Sequence, residues 1–65
     1  MNANNLRAEF TRNRKTQREV AKLLGISEKT LISRMRDGDF RLTEVDVLIR
    51  ELHIEDPMRV FFDDS

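Results

Sequence analysis

The sequence predicts a compact all-α domain of four to five short helices, one domain spanning residues 1–65. Three observations lead there. Apolar residues recur at spacings of three and four along most of the chain, as one face of a helix requires. Residues that start and stop helices stand between those apolar groups. No run alternates apolar and polar residues as a half-buried strand would, and there is no internal repeat or low-complexity segment.

The first helix is expected from about residue 4 to 13, because Leu6 and Phe10 are one turn apart and asparagines precede them as caps. Asn13-Arg14-Lys15 makes a polar break. Thr16 opens the second helix with a capping box: its hydroxyl accepts from the backbone N–H three residues on, while Glu19 reaches back. Val20, Ala21, Leu23 and Leu24 form its apolar face. Gly25 suits the left-handed position at the helix end, where a side chain would clash.

Ser27 caps the third helix, and Ile26 before it has the spacing to staple against Leu31. Leu31 and Met35 are its buried pair. At about 100° per residue, Lys29, Ser33 and Arg36 fall on the opposite face, flanked by Thr30 and Ile32. Asp37-Gly38-Asp39 ends the helix, and Phe40 and Leu42 are expected to fold back onto the core. A fourth helix begins at Thr43, with a staple between Leu42 and Val47, and carries Val45, Leu48, Ile49 and Leu52 along one face. Asp56-Pro57 then reads as an N-cap and first-turn proline, opening a short turn that delivers Val60, Phe61 and Phe62 to the core or to a partner.

Composition excludes several classes. The chain contains no cysteine and one histidine, so disulfides and thiolate metal sites are ruled out, and the carboxylates show no ligand spacing. No metal, cofactor or catalytic residue is expected. His53, just past the last apolar position of the fourth helix, reads as a cap or dipole partner, with no nucleophile or paired carboxylate placed around it. No apolar run nears the roughly 20 residues that span a bilayer, and MNANNLRAEF lacks the apolar core of a signal peptide, so a cytoplasmic protein away from membranes is expected. A domain this small has little room for a deep cleft, and no small-molecule substrate is expected.

The formal net charge of zero conceals a division. Residues 1–36 hold nine basic groups against three acids, a local charge of +6; residues 37–65 hold three against nine, a local charge of -6. Such asymmetry suits a chain whose basic half faces a polyanion while its acidic half points away or meets another protein. The plainer account is two oppositely charged surfaces solvating a small fold.

The stretch TQREVAKLLGISEKTLISRM, residues 16–35, joins two short helices with an alanine at the point of closest crossing, a glycine to turn and a hydrophobic pair beyond. It resembles the helix-turn-helix of the lambda repressor and Cro type, the XRE family, whose common form reads T-Q-x-x-[LV]-A-x-x-L-G-[IV]-S-x-x-T-[IL]. Thr16, Gln17, Val20, Ala21, Leu24, Gly25, Ile26, Ser27, Thr30 and Leu31 all match. The resemblance extends over about residues 4–62, with the helix-turn-helix at 16–36, and implies a lambda-repressor-like fold. It also implies sequence-specific binding of double-stranded DNA by a transcriptional regulator, often phage-derived and often dimeric, with the third helix in the major groove.

Carried over residue by residue, the resemblance places Gln17 at the start of the second helix, against a phosphate. Lys29 would bond guanine O6 or N7, Ser33 a base edge or a thymine methyl, and Thr30 a phosphate. Arg14, Lys15, Arg18 and Arg36 would supply the sequence-independent grip. There are two departures from the family pattern. Glu28 stands where the family often carries a donor; it repels phosphate, although it can accept from cytosine N4 or simply favour its helix N-terminus. Arg34 stands where many members bury an aliphatic residue, a role that Met35 takes over, and this leaves both Ile32 and Ser33 as candidate base contacts.

Plainer readings stand beside these. Thr16, Gly25 and Ser27 are stop and start signals in any helical hairpin, and Met35, Phe40, Phe61 and Phe62 are expected in the core. The acids of the second half are expected to be mostly solvated. Dimerisation would let two copies bind half-sites about one helical turn apart, with Val60, Phe61 and Phe62 as the residues to contact a second copy if they do not close the core. The competing class is a protein-interaction module, an antirepressor or adaptor that keeps the fold without reading DNA, and Glu28 with the zero net charge favours it. An enzyme is disfavoured for want of a perturbed pair, a phosphate loop or a metal cluster.

Overall fold

Local signals build each helix of the structure, a computed structural model that describes residues 1–63. Asp64, counted among the acids of the second half, and Ser65 lie outside the described residues. Five helices follow one another: α1 (Ala3–Arg12), α2 (Gln17–Leu24), α3 (Glu28–Asp37), α4 (Leu42–Glu51) and α5 (Pro57–Phe61). No strand occurs among the described residues. The all-α class therefore stands, with five helices. The radius of gyration is 10.4 Å, against about 11 Å expected of a compact chain this long.

The caps lie where polar side chains can reach them. Asn2 accepts from the N–H of Asn4 at 2.9 Å and opens α1. Ser27 accepts from the N–H of Thr30 at 3.0 Å and opens α3. Asp56 accepts from the N–H of Arg59 at 3.2 Å, with Pro57 in the first turn of α5. The start of α4 differs from expectation. Arg41 rather than Leu42 precedes the helix, and its N–H donates to the carboxylate of Glu44 at 2.9 Å. Leu42 becomes the first helical residue and is 82% exposed. It neither folds back onto the core nor staples against Val47, because in the first turn it points away from the face that Leu48 buries.

Four helices end alike. A backbone N–H reaches back five residues from Lys15 to Phe10, Ile26 to Ala21, Asp39 to Arg34 and Ile54 to Ile49, at 2.9–3.1 Å. This bond needs a left-handed residue just before its donor. Gly25 (φ 69°) and Gly38 (φ 65°) supply it for α2 and α3; Arg14 (φ 55°) and His53 (φ 50°) supply it for α1 and α4, where a side chain is strained.

The core consists of Leu6, Phe10, Val20, Ala21, Leu31, Met35, Leu48, Leu52, Ile54, Val60 and Phe61. α2 packs against α3 and α4, and α1 against α5. Phe40 folds back as expected and meets Phe61 edge to face, ring centroids 6.2 Å apart. Val60 and Phe61 close the core, whereas Phe62 is 58% exposed, and Leu23 on α2 is exposed as well. A 3.6-residue period spreads three successive apolar residues over more arc than one contact face covers, so Phe62 is left outside while Val60 and Phe61 are buried.

Two polar connections are long-range. Arg12 donates to the carbonyls of Leu52 and His53 at 2.7 and 3.0 Å, and Asn13 donates to Leu52 at 2.9 Å, so the end of α1 satisfies the orphan carbonyls at the end of α4. Glu44 is buried and pairs with Arg34, Oε1 to Nε 3.2 Å, an ion pair by distance rather than an aligned hydrogen bond. One carboxylate thus caps α4 and holds α3.

Gly25→Ala meets no atom within 4 Å of the added carbon, so its expected cost of about 1 kcal/mol is purely conformational, and His53→Gly should gain about 0.5–1 kcal/mol for the same reason; urea unfolding of both variants measures the opposite signs. Glu44→Ala uncaps α4 and leaves the Arg34 charge partly buried, an expected loss of about 2–4 kcal/mol. Leu42→Ser, at the neighbouring exposed position, should change stability by less than about 0.5 kcal/mol in the same assay.

Candidate nucleic-acid interface

The capping box at Thr16 positions the start of α2. Thr16 is extended (φ -81°, ψ 161°); its hydroxyl accepts from the N–H of Glu19 at 3.1 Å, and Glu19 accepts from the N–H of Thr16 at 3.0 Å. The Thr16 N–H bond, then the Thr16 hydroxyl, holds the Glu19 carboxyl below its ordinary value, with smaller help from Lys15 and Lys22. Gln17 and Arg18 are the first two residues of α2, and Arg14 and Lys15 lead into it. These four place three cations around a helix start whose free N–H groups and dipole favour an anion. The left-handed backbone of Arg14 turns the chain from α1 into this group.

Gly25 sets where α3 leaves the turn. Leu31 and Met35 are fully buried, so the opposite side of α3 faces solvent. There Glu28, Lys29, Ile32, Ser33 and Arg36 line one shallow depression of about 420 Å³. A smaller one of about 270 Å³ adjoins it, lined by Lys29, Thr30 and Ser33 with Arg34, Asp37 and Asp39. All six α3 residues expected at the interface therefore lie on these two surfaces. Arg14, Lys15, Gln17 and Arg18 line neither and form a separate group at the α2 start.

Partners differ across the face. Thr30 receives a hydrogen bond from the Ser27 hydroxyl at 2.9 Å, which orients its own hydroxyl. Ser33 accepts from Arg36 at 3.3 Å, and Arg36 also pairs with Asp37, Nε to Oδ1 3.1 Å. This bond, more than simple charge attraction, lowers the Asp37 carboxyl below its ordinary value and raises the Arg36 guanidinium. Glu28 and Lys29 make no side-chain hydrogen bond or ion pair among the described residues, nor do Arg14, Lys15 and Arg18.

Two of the nine basic residues in the first half are tied to α4. Arg12 is bound to Glu9 and the end of α4, and Arg34 to Glu44. The sequence reading missed the acid beside the candidate face: Asp37 served there only to end a helix, although its adjacency to Arg36 already signalled a pair. It also missed Glu44, the buried exception among acids expected to be solvated. A further cleft of about 410 Å³ lies between α1 and the approach to α5, lined by Asn5, Glu9, Arg12, Glu55, Asp56 and Arg59 among others; its Arg12 is already committed to α4.

Comparison with protein-family models, curated proteins and solved structures found no match. Among the described residues no helix is long and apolar enough to cross a membrane, and no cluster of acids and histidine could hold a metal ion.

The Glu19 cap carries a pH signature. A carboxyl lowered in the folded state stabilises above its unfolded pKa and loses that contribution as pH falls through the folded value. Between about pH 6 and pH 3 the thermal midpoint of the wild type should therefore fall further than that of Glu19→Gln, which keeps the shape and removes the titration; melting curves at both pH values measure the difference.

Proposed function

We propose that this chain is a sequence-specific double-stranded DNA-binding transcriptional regulator of the lambda repressor and Cro type, with α3 as the element that enters the major groove. The observation that carries the reading is the division of α3: Leu31 and Met35 lock one side into the core, and Lys29, Ile32, Ser33 and Arg36 share the side that remains outside. A helix is about as wide as the major groove, and a face mixing a free lysine, a hydroxyl and an apolar group has the chemistry of base edges. The cations at the α2 start, Arg14, Lys15 and Arg18, with Gln17 among them, supply the contact to the phosphates flanking that groove. Thr30, its hydroxyl oriented by Ser27, adds a phosphate contact, and a second copy on an adjacent half-site would double the bases read.

The alternative, an antirepressor or adaptor, draws on two observations: Asp37 already neutralises Arg36, and Glu28 adds a negative charge to the first turn of α3. Salt separates the readings. On the DNA reading, about four phosphate contacts lower the affinity for a mixed-sequence duplex about 100-fold between roughly 50 and 200 mM salt. The Lys29→Ala and Arg36→Ala double variant should bind more weakly and show a salt slope shallower by up to about one. Fluorescence anisotropy with a labelled duplex measures both. Absence of binding at low salt by folded protein would overturn the regulator reading in favour of the adaptor.

A further inference from the structure

Ile32 is 44% exposed at the centre of an otherwise polar surface. Its neighbours in the depression on α3 are Glu28, Lys29, Ser33 and Arg36, all polar or charged. It belongs neither to the core nor to the partly buried apolar residues packed against it, so the fold gives no packing reason for the exposed part of its side chain. Nor does helix formation favour it, since a β-branched residue loses side-chain freedom in a helix and an exposed position prefers alanine, lysine or glutamine. A branched apolar group in this place therefore suits something that docks there.

Only one apolar group is displayed on the base edges of the major groove, the C5 methyl of thymine. The surroundings of Ile32 are complementary to DNA rather than to an apolar protein surface: Lys29 flanks it, Arg36 lies one turn further along, and Arg14, Lys15 and Arg18 add positive charge at the start of α2. Glu28, one turn before Ile32, opposes a phosphate at that end of the face, which directs the Ile32 end toward bases rather than backbone. Resting on the DNA-binding reading above, we propose that Ile32 is a specificity-determining residue that packs on a thymine methyl, and that the preferred site contains a thymine read in this way.

Uracil in place of thymine removes that methyl and leaves pairing and every hydrogen-bonding group unchanged. The test begins by selecting the best-bound duplex from a randomised library and replaces each of its thymines in turn with uracil. One position is expected at which the change weakens wild-type binding about fourfold, the factor that burial of a single methyl supplies. Ile32→Ala should bind the thymine duplex with at least that loss and show no further loss on uracil at that position, while Ile32→Val keeps part of the discrimination. Thermal melting of both variants verifies that they fold.

A selected site without thymine, wild-type binding indifferent to uracil at every position, or an Ile32→Ala variant that still distinguishes the two bases overturns the assignment. In each of these cases salt-sensitive binding persists and the DNA reading stands. Failure of the folded wild type to bind any duplex at low salt overturns both together.

Discussion

The buried carboxylate of Glu44 is the constraint on which the placement of α3 depends. The inner side of α3 rests on the core through two fully buried residues, Leu31 and Met35, one turn apart. Two points on one line leave a cylinder free to roll about that line. Arg34 supplies the third point: its guanidinium leans on Glu44, and Glu44 is itself anchored by the N–H of Arg41 at the start of α4. With Arg34 drawn to that side, Ser33 and Arg36 are carried outward. An apolar residue at position 34 could fill the same space, and buried ion pairs of this sort often add little net stability over such a replacement. What the pair adds is a contact from α3 to the start of α4 that lies off the line of Leu31 and Met35.

The same economy of contacts governs the helix ends. A chain of 65 residues has few apolar groups to bury, so the polar groups of each helix end must be satisfied close by. Arg12 and Asn13, at the end of α1, serve the carbonyls of α4 at Leu52 and His53. The following residue, Arg14, must then adopt a left-handed backbone to bring the chain round to Thr16. Glycine would meet that requirement with less strain, as it does at Gly25 and Gly38. Arginine there instead leaves a cation at the entrance to α2. Strain of this size persists where surrounding structure over-determines the backbone, and the two donors just before Arg14 do so.

Much of this was legible in the sequence wherever the determinant is local. Thr16 with Glu19, Gly25, Ser27 and Asp56-Pro57 each act within four residues, and each helix boundary they predict lies where expected to within a residue or two. The α3 face was legible for the same reason, since a single helical period decides which side Leu31 and Met35 bury. Leu42, Leu23 and Phe62 were misplaced because periodicity identifies an apolar arc without saying how much of it a neighbouring helix covers. Arg34 with Glu44 and Arg12 with Leu52 lie ten and forty residues apart, and only the assembled fold brings them together. Charge counting failed most instructively: it credits Arg12 and Arg34 to a free basic surface, where the structure ties both to α4.

That redistribution bears on how a neutral chain could grip a polyanion. With Arg12 and Arg34 withdrawn and Arg36 paired to Asp37, the unpaired cations of the candidate interface are Arg14, Lys15, Arg18 and Lys29. A phosphate approaching Arg36 has to displace Asp37, exchanging one ion pair for another, so that contact contributes less to affinity than an unpaired arginine would. It also releases fewer counterions and flattens the salt dependence. For a protein that must find one site among many, weak general attraction is useful, because specificity depends on the ratio of affinities and not on either alone. On the DNA-binding reading, Asp37 and Glu28 lower binding to every sequence alike, and base contacts from Lys29, Ile32 and Ser33 restore it only where the sequence fits. The acids that favour the adaptor reading at first sight are thus compatible with a regulator whose discrimination rests on the small outward face of α3.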